Sequence, residues 1–220
     1  MEPTAKLPPA LRLSAADARF RKNGNAAAAR TVGPITHGCR VIGLTYGQFG
    51  VLELLRHVLA TTGPADVDLV TWSMRPADAR HVAYWARKHT ITRLRVLFGT
   101  GIGLARHRER EVLPKLFSAD QVRFATVHAK WFRVHNAQWD VTCRSSMNVN
   151  RCVRWEQFDL DDDPRIGHWY GEILDSAWET QPVPWEAKPD RREVDRAAFG
   201  TVATTKGTTK RRRGSSRRRG

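Results

Sequence analysis

Apolar residues recur along the chain in two patterns, one typical of buried strands and one typical of amphipathic helices. Continuous apolar runs of strand length occupy residues 40–45, 67–72, 94–98 and 122–133. Helical spacing of apolar residues occupies 51–59, 76–89, 104–117 and 164–179. Strands and helices in this order predict an α/β fold, with a mixed, mostly parallel sheet flanked by helices.

The same pattern divides the chain into one folded domain and two tails. Periodic apolar positions run from residue 36 to residue 183, which is long enough to bury a core. Residues 1–35 are rich in Ala, Arg, Pro and Gly, and we expect a flexible basic arm with a short helix at 11–21. Residues 184–220 are predicted to form a linker and a disordered tail rich in Arg and Lys.

The formal net charge of +15 is concentrated at the two ends of the chain. Residues 206–220 contain eight lysines and arginines and no acidic residue, and residues 1–36 contain six basic and two acidic residues. Clustered cations bind phosphates and release counterions, so we expect the tail to bind nucleic acid. The residues predicted to make these contacts are Lys210, Arg211, Arg212, Arg213, Arg217, Arg218 and Arg219.

The three cysteines, Cys39, Cys143 and Cys152, are too few for a closed disulfide framework and match no zinc-ligand spacing. The N-terminus lacks the apolar core of a signal peptide, and no run reaches the roughly 18 apolar residues of a membrane span. The expected location is therefore a reducing cytoplasm. A cofactor and a membrane are not among the expected partners.

Candidate chemistry lies in the last predicted strand, where one small residue separates His128 from Lys130. In a strand these two side chains project from the same face, about 6.6 Å apart along it, so both reach one phosphate. A turn at residues 135–137 and a second run at 138–144 predict a hairpin. That hairpin brings residues 145–148, Ser-Ser-Met-Asn, to the end of the strand, and Glu156 follows on a third run.

This set of side chains suits phosphodiester chemistry without a metal ion. An imidazole attacks phosphorus or moves a proton, and a carboxylate fixes the imidazole tautomer. An ammonium and a carboxamide stabilise the charge that develops on the phosphoryl oxygens. The residues that carry these groups are His128, Lys130, Ser146, Asn148 and Glu156.

The motif resembles that of the phospholipase D-like (HKD) superfamily, in which His-x-Lys is followed by a Gly/Ser-Ser-x-Asn turn. Glu156 and Gln157 are similar to the Glu-Asn pair of its small single-motif nucleases, and residues 40–47 and 67–73 resemble the opening strands of phage-encoded members. The resemblance covers about 140 residues. It implies a bacterial, prophage-encoded protein with the phospholipase D-like fold.

The resemblance also implies a mechanism and an assembly. His128 attacks phosphorus to form a phosphohistidine, while its counterpart from a second motif protonates the leaving oxygen. Lys130 and Asn148 hold the nonbridging oxygens, Ser146 orders the phosphate and Glu156 orients His128. Because the chain has a single His-x-Lys, we expect a homodimer with one reaction centre at its two-fold axis.

Two departures from the family pattern bear on activity. The family's Asp, five residues after the Lys, is His135 here, with Asp140 the nearest acid, and the spacer before the Ser-Ser-x-Asn turn is longer by about three residues. Two other functions therefore stay open. One is a nucleic-acid-binding or assembly module with an impaired site, and the other is a phosphodiesterase that acts on phospholipids.

Three further patterns receive structural interpretations. The acidic run at residues 159–163 is predicted to be a solvated loop rather than a magnesium site, and residues 99–103 a strand-to-helix turn rather than a nucleotide-binding loop. Trp131 lies on the strand face opposite His128, which favours core packing. Trp139 and Trp155 flank the motif and are candidates for stacking on bases.

Overall fold

The structure is a computed structural model that describes residues 10–13, 18–21, 28–100, 107–150 and 154–185. Its strands are β1 (Ala10–Leu13), β2 (Ala18–Arg21), β3 (Arg40–Tyr46), β4 (Ala65–Thr71), β5 (Ile91–Gly99), β6 (Val122–Ala125), β7 (Trp131–His135), β8 (Asp140–Ser145) and β9 (Trp155–Asp162). Its helices are α1 (Ala28–Val32), α2 (Val51–Thr62), α3 (Pro76–Arg87), α4 (His107–Leu116) and α5 (Pro164–Thr180), with a 3-10 turn at Ala119–Gln121.

These nine described strands form one sheet in the order β2-β1-β3-β9-β8-β7-β4-β5-β6. Strands β4, β5 and β6 are parallel to one another, and every other neighbouring pair is antiparallel. The predicted mixed α/β fold is confirmed, although antiparallel pairs outnumber the parallel ones that we expected to predominate. The difference arises because β7, β8 and β9 follow one another as neighbouring antiparallel strands, and β9 then pairs with β3.

The two faces of the sheet carry different packing. Leu69 and its neighbours on one face form the main core with apolar residues from α1 to α4, whereas Val70, next along β4, packs on α5 with Leu97, Trp131 and Leu174. Successive strand residues point to opposite faces, so one run of apolar residues in β4 serves both layers. The predicted core position of Trp131 is confirmed.

The face beneath α5 is also charged. Asp68 on β4 is 1% exposed and accepts two hydrogen bonds from Arg95 on β5, at 2.7 and 2.8 Å. Burial opposes the charge of Arg95, but its bonds to Asp68 and Asp175 outweigh that effect and raise the pKa of Arg95. A buried charge is tolerated when it is paired in this way.

The acidic run at residues 159–163 is not the solvated loop that we predicted. Asp161 and Asp162 lie in β9 and are buried, and Asp161 accepts hydrogen bonds from both Arg40 and Arg144. Asp163 caps the N-terminus of α5 by accepting a hydrogen bond from the backbone of Arg165. Two of these carboxylates thus hold the sheet and helix together, which an acidic composition alone does not reveal.

The N-terminal segment also differs from the prediction. Ala10–Leu13 and Ala18–Arg21 form an antiparallel pair of strands rather than a helix, and β1 continues the sheet beside β3. Ala28, Val32 and Ile35 are buried in the main core, so the folded unit begins before the boundary predicted at residue 36. The apolar residues of this segment are few and follow no strand or helix period, so the sequence did not predict that it packs on the sheet.

One edge of the sheet collects the carboxyl ends of β3, β4, β5, β6 and β8 and the amino ends of β7 and β9. The parallel and antiparallel registers place these ends together. The polar residues that follow or precede those ends therefore meet. Within the described part of the chain, no helix combines the length and hydropathy needed to cross a bilayer.

Candidate active site

His128 and Lys130 lie at this sheet edge, on an extended segment between β6 and β7 rather than inside a strand as predicted. The segment is joined to the hairpin by a hydrogen bond of 2.9 Å from the backbone nitrogen of Ser145 to the carbonyl of Lys130. The Lys130 ammonium lies 3.1 Å from Nδ1 and 3.0 Å from Nε2 of His128. The two side chains are thus close enough to share one phosphate.

Ser146 and Glu156 form a second pair beside them. The predicted hairpin of β7 and β8 is confirmed, and Ser146 follows directly after β8. Its hydroxyl donates to the carboxylate of Glu156 and accepts from the backbone nitrogen of Gln157 at 3.0 Å. The family resemblance implies that Glu156 orients His128. In the described structure Glu156 instead accepts a hydrogen bond from Ser146.

The ionisation of Lys130 is set by its surroundings. Burial lowers the pKa of Lys130, and the negative charge of Glu156 partly opposes this by raising it. A partly desolvated ammonium interacts more strongly with an anion than a fully solvated one does. Lys130 is thereby suited to stabilise negative charge on a phosphoryl group.

Asn148 is held by the carboxyl end of β4. The hydroxyl of Thr71 lies 3.5 Å from the carboxamide oxygen of Asn148, and the backbone nitrogen of Val149 donates to that hydroxyl at 3.1 Å and to the carbonyl of Ser73 at 3.1 Å. Asn150 donates to the hydroxyl of Ser73 at 2.9 Å. Because the carboxamide oxygen faces Thr71, the amide nitrogen of Asn148 is left as a donor.

Sequence reasoning missed several of these supporting residues. Thr71 and Ser73 position the turn that carries Asn148, and small hydroxyl residues at the end of a buried strand were the available signal. Trp72 was also missed. The residue is 38% exposed, and its ring lies 5.9 Å from the His128 ring between centroids, at 60°.

Trp72 and the segment before His128 both pack against Gly99, the last residue of β5. A Cβ atom at Gly99 would lie 2.4 Å from Cδ1 of Trp72 and 2.7 Å from the carbonyl oxygen of Val127. Glycine is therefore required here for close approach rather than for a turn. The predicted turn at residues 99–103 begins at this point, and residues 101–103 lie outside the described residues.

His135, which replaces the family Asp, lies at the other end of β7. It lies five positions after Lys130, or about 17 Å along the chain at the rise of a strand. It is in register with Asp66 on β4 and Asp140 on β8. Burial, followed by the charge of Arg133, lowers the pKa of His135. His135 is thus remote from His128 and does not supply an imidazole to the same site within one chain.

Other predicted residues are placed as follows. The ring of Trp139 stacks on that of His37, with centroids 3.8 Å apart, so this face of Trp139 is occupied, whereas Trp155 is exposed. The predicted nucleic-acid-binding residues, from Lys210 to Arg219, lie outside the described residues. Within the described ranges, no three His, Cys, Asp or Glu residues are grouped so that they could hold a metal ion.

Comparison with known proteins gives structural matches only. No protein-family model matches the sequence, and no curated protein matches it. A phospholipase D family member, Nuc from Salmonella typhimurium, is 12% identical, with a TM-score of 0.49 over 67% of this chain and 99% of that one. The fold is similar to that of this phospholipase D family member.

Two further solved structures are similar over about the same part of the chain. NucT from Helicobacter pylori is 11% identical, with a TM-score of 0.47 over 64% of this chain and 98% of that one. Polyphosphate kinase from Porphyromonas gingivalis is 13% identical, with a TM-score of 0.47 over 68% of this chain. The match spans 27% of the kinase, so this chain corresponds to about a quarter of it.

Proposed function

We propose that the chain is a phosphodiesterase that cleaves nucleic acid without a metal ion, through a covalent phosphohistidine. The single observation that carries this proposal is the contact between Lys130 and His128 at the sheet edge. An imidazole and an ammonium in contact reach the same phosphate, so one attacks while the other neutralises charge. Ser146, Asn148 and Glu156 lie at the same edge and complete the set.

In the proposed reaction, an imidazole nitrogen of His128 forms a bond to phosphorus while the bond from phosphorus to the leaving oxygen breaks. A second imidazole gives its proton to that oxygen. Water then attacks phosphorus, loses a proton to the second imidazole and releases His128. Lys130 and the amide nitrogen of Asn148 stabilise the negative charge on the nonbridging oxygens in both steps.

The second imidazole is assigned to His128 of another copy of the chain. The nearest alternative in the same motif, His135, is at the far end of β7. His128 is exposed, so it is accessible to a second subunit. In an isologous interface the same surface of each subunit meets at the two-fold axis. His128 of both subunits then lies at that axis, and the two residues together complete one site.

Glu156 receives a different role from the one implied by the family resemblance. Its contact with Ser146 orders that hydroxyl, and its charge favours the protonated form of Lys130. Glu156 thus acts on the phosphate through two neighbours rather than through the tautomer of His128.

The basic tail is assigned to substrate binding. Lys210, Arg211 and the other cations of residues 206–220 contact phosphates without reading sequence, and each contact adds to the salt dependence of binding. Removal of residues 206–220 should weaken nucleic-acid binding and flatten its salt dependence, while cleavage at saturating substrate is retained.

The test is cleavage of labelled DNA and RNA in excess EDTA. We expect the wild-type chain to cut under these conditions, and the His128→Asn and Lys130→Met variants to lose nearly all activity. His135→Asn is the control, because that imidazole is remote from the site. Activity that disappears in EDTA and returns with Mg²⁺ contradicts the proposal. Binding of nucleic acid with no cleavage by the wild type identifies a binding module instead.

The dimer is tested by dilution in the same assay. Specific activity should fall as the protein is diluted below its dimer dissociation constant, in parallel with dissociation seen by sedimentation. Full specific activity in a sample that sediments as a monomer contradicts the two-fold site.

A further inference from the structure

A cavity of about 430 Å³ adjoins the candidate active site on the α5 side of the sheet. Lys130 lines this cavity, together with Val127 and Ala129 from the same extended segment. The cavity therefore borders the segment that carries His128 and Lys130.

The outer wall of the cavity is an aromatic and aliphatic surface on α5. Trp169 is 56% exposed and Ile173 is 44% exposed, although both are large apolar side chains. Tyr170 lies between sheet and helix, with its ring 4.7 Å from Trp131 and 4.9 Å from Trp169 between centroids. The Trp169 ring stands at 84° to that of Tyr170, so the exposed Trp169 ring by itself provides the aromatic platform, and Tyr170 and Trp131 support it from behind.

Polar groups lie on the opposite wall. Arg144, Gln157 and Asp159 line the cavity from β8 and β9, and the Gln157 side chain is exposed. Polar side chains that lose water to a ligand need hydrogen-bond partners in return, so a ligand with hydrogen-bonding edges is favoured over an aliphatic one.

We propose that this cavity is a subsite for the nucleobase next to the cleaved phosphate, which makes single-stranded nucleic acid the substrate. This inference rests on the proposed function. A flat base stacks on an aromatic platform, and its polar edges meet the opposite wall. An acyl chain would instead cover Gln157 and Asp159 without offering them hydrogen bonds. A base in a duplex is already paired and stacked, so it enters only after it is unpaired.

The volume agrees with this occupant. Small-ligand sites in proteins typically measure about 300–1,000 Å³, are mostly apolar and contain a few polar groups that fix orientation. The cavity falls within that range and has both kinds of wall. DNA and RNA share the base chemistry, so the experiment includes a strand of each.

The test uses the full-length chain with the His128→Ala substitution, which prevents turnover, and short strands that contain 2-aminopurine. Stacking on Trp169 should quench the fluorescence of the analogue on binding. The Trp169→Ala substitution should remove that quench and raise the Kd by about tenfold, within the range for base–aromatic stacking. Elevated salt weakens binding through the basic tail, so the subsite dominates the measurement.

Two control variants lie at or beside the same position. Trp169→Phe keeps an aromatic face and should retain most of the quench. His168→Ala changes an exposed neighbour on α5 that does not line the cavity, so the Kd should not change. Duplexes of the same sequence should bind to the His128→Ala protein more weakly than single strands do, and adding Trp169→Ala should reduce that difference.

The outcomes separate this inference from the proposed function. If the wild type cleaves no strand but Trp169→Ala still removes the quench, the proposed function fails and the subsite stands. If the wild type cleaves strands but Trp169→Ala changes neither quench nor Kd, the subsite is wrong. Competition by neutral phospholipid vesicles would assign the cavity to an acyl chain, and loss of the dimer in Trp169→Ala would assign the surface to a subunit interface. Either result overturns the proposal.

Discussion

The substitution Gly99→Ala tests how the structure positions His128. The added Cβ atom would lie 2.4 Å from Cδ1 of Trp72 and 2.7 Å from the carbonyl oxygen of Val127. Carbon atoms in favourable contact are about 3.5 Å apart, so both neighbours must move by about 1 Å. Trp72 is partly exposed, so its side chain can turn towards solvent. The second contact is with a backbone atom of Val127, the residue before His128, so its movement displaces His128 directly.

The magnitude follows from two effects. Overpacking of this kind costs about 1–3 kcal/mol of stability, which lowers the Tm of a domain of this size by about 2–12 °C. A displacement of about 1 Å in a reacting group costs about 100-fold in rate. Gly99→Ala should therefore remain folded at assay temperature but lose about 100-fold in kcat, with a smaller change in KM.

The assay is cleavage of a single-stranded substrate in EDTA, with the Tm measured on the same samples. Gly171→Ala is the matched control, because its Cβ atom would lie 2.3 Å from Nη1 of Arg133, a side chain that pairs with Asp140 and lies away from His128. That variant should lower the Tm and keep its kcat. If Gly99→Ala lowers the Tm but keeps kcat within about twofold, the geometry that we assign to the His128 segment is refuted.

Three further predictions concern charge. Because the carboxylate of Glu156 raises the pKa of Lys130, Glu156→Gln should move the alkaline limb of kcat/KM to lower pH, and a shift to higher pH contradicts that assignment. His135 has a lowered pKa, so as pH falls below about 6.5 the unfolded chain takes up this proton first and stability is lost. Denaturant titrations at about pH 7 and about pH 5 measure this loss of unfolding free energy, and His135→Leu should make it smaller. A loss equal to that of the wild type would show that His135 contributes nothing. Asp68→Ala leaves Arg95 charged and buried and should cost about 3–5 kcal/mol by urea unfolding, whereas Asp68→Leu with Arg95→Met should recover most of it.

The sequence predicted the elements whose signals are local. Strand β4, helix α3 and strand β5 alternate with clear apolar periods, and Pro76 occupies the first helical position as expected. The β7–β8 hairpin was also predicted, because two strand-like runs flank a short polar turn. The hairpin brings Lys130 beside the end of β8, so the proximity of Lys130 to Ser146 could be predicted from the sequence.

Long-range pairing was not accessible in the same way. Strand β3 pairs with β9, which places Thr45 opposite Glu156, although the two are more than a hundred residues apart. The buried state of Asp161 depends on Arg40 and Arg144 from two other strands, so its local composition predicted a loop. Trp72 escaped notice for the same reason, since it contacts His128 from a segment more than fifty residues away in the sequence.

The break in the strand at His128 was also missed. The run 122–133 reads as one continuous strand, yet β6 ends at Ala125 and β7 begins at Trp131. β6 pairs with β5 and β7 pairs with β4, so the chain crosses from one side of the parallel strands to the other between them. That crossing requires an unpaired segment, and this segment carries His128 and Lys130.

The most direct measurement is isolation of the covalent intermediate. Wild-type protein is mixed with a strand that carries radioactive phosphate at the cleaved position in EDTA, quenched in denaturant and digested for mass spectrometry. A phosphohistidine is stable in base and labile in acid, and we expect this label on the peptide that contains His128, with none in His128→Ala. Rapid cleavage with no protein-bound label, or label on Ser146, would contradict the proposed phosphohistidine mechanism.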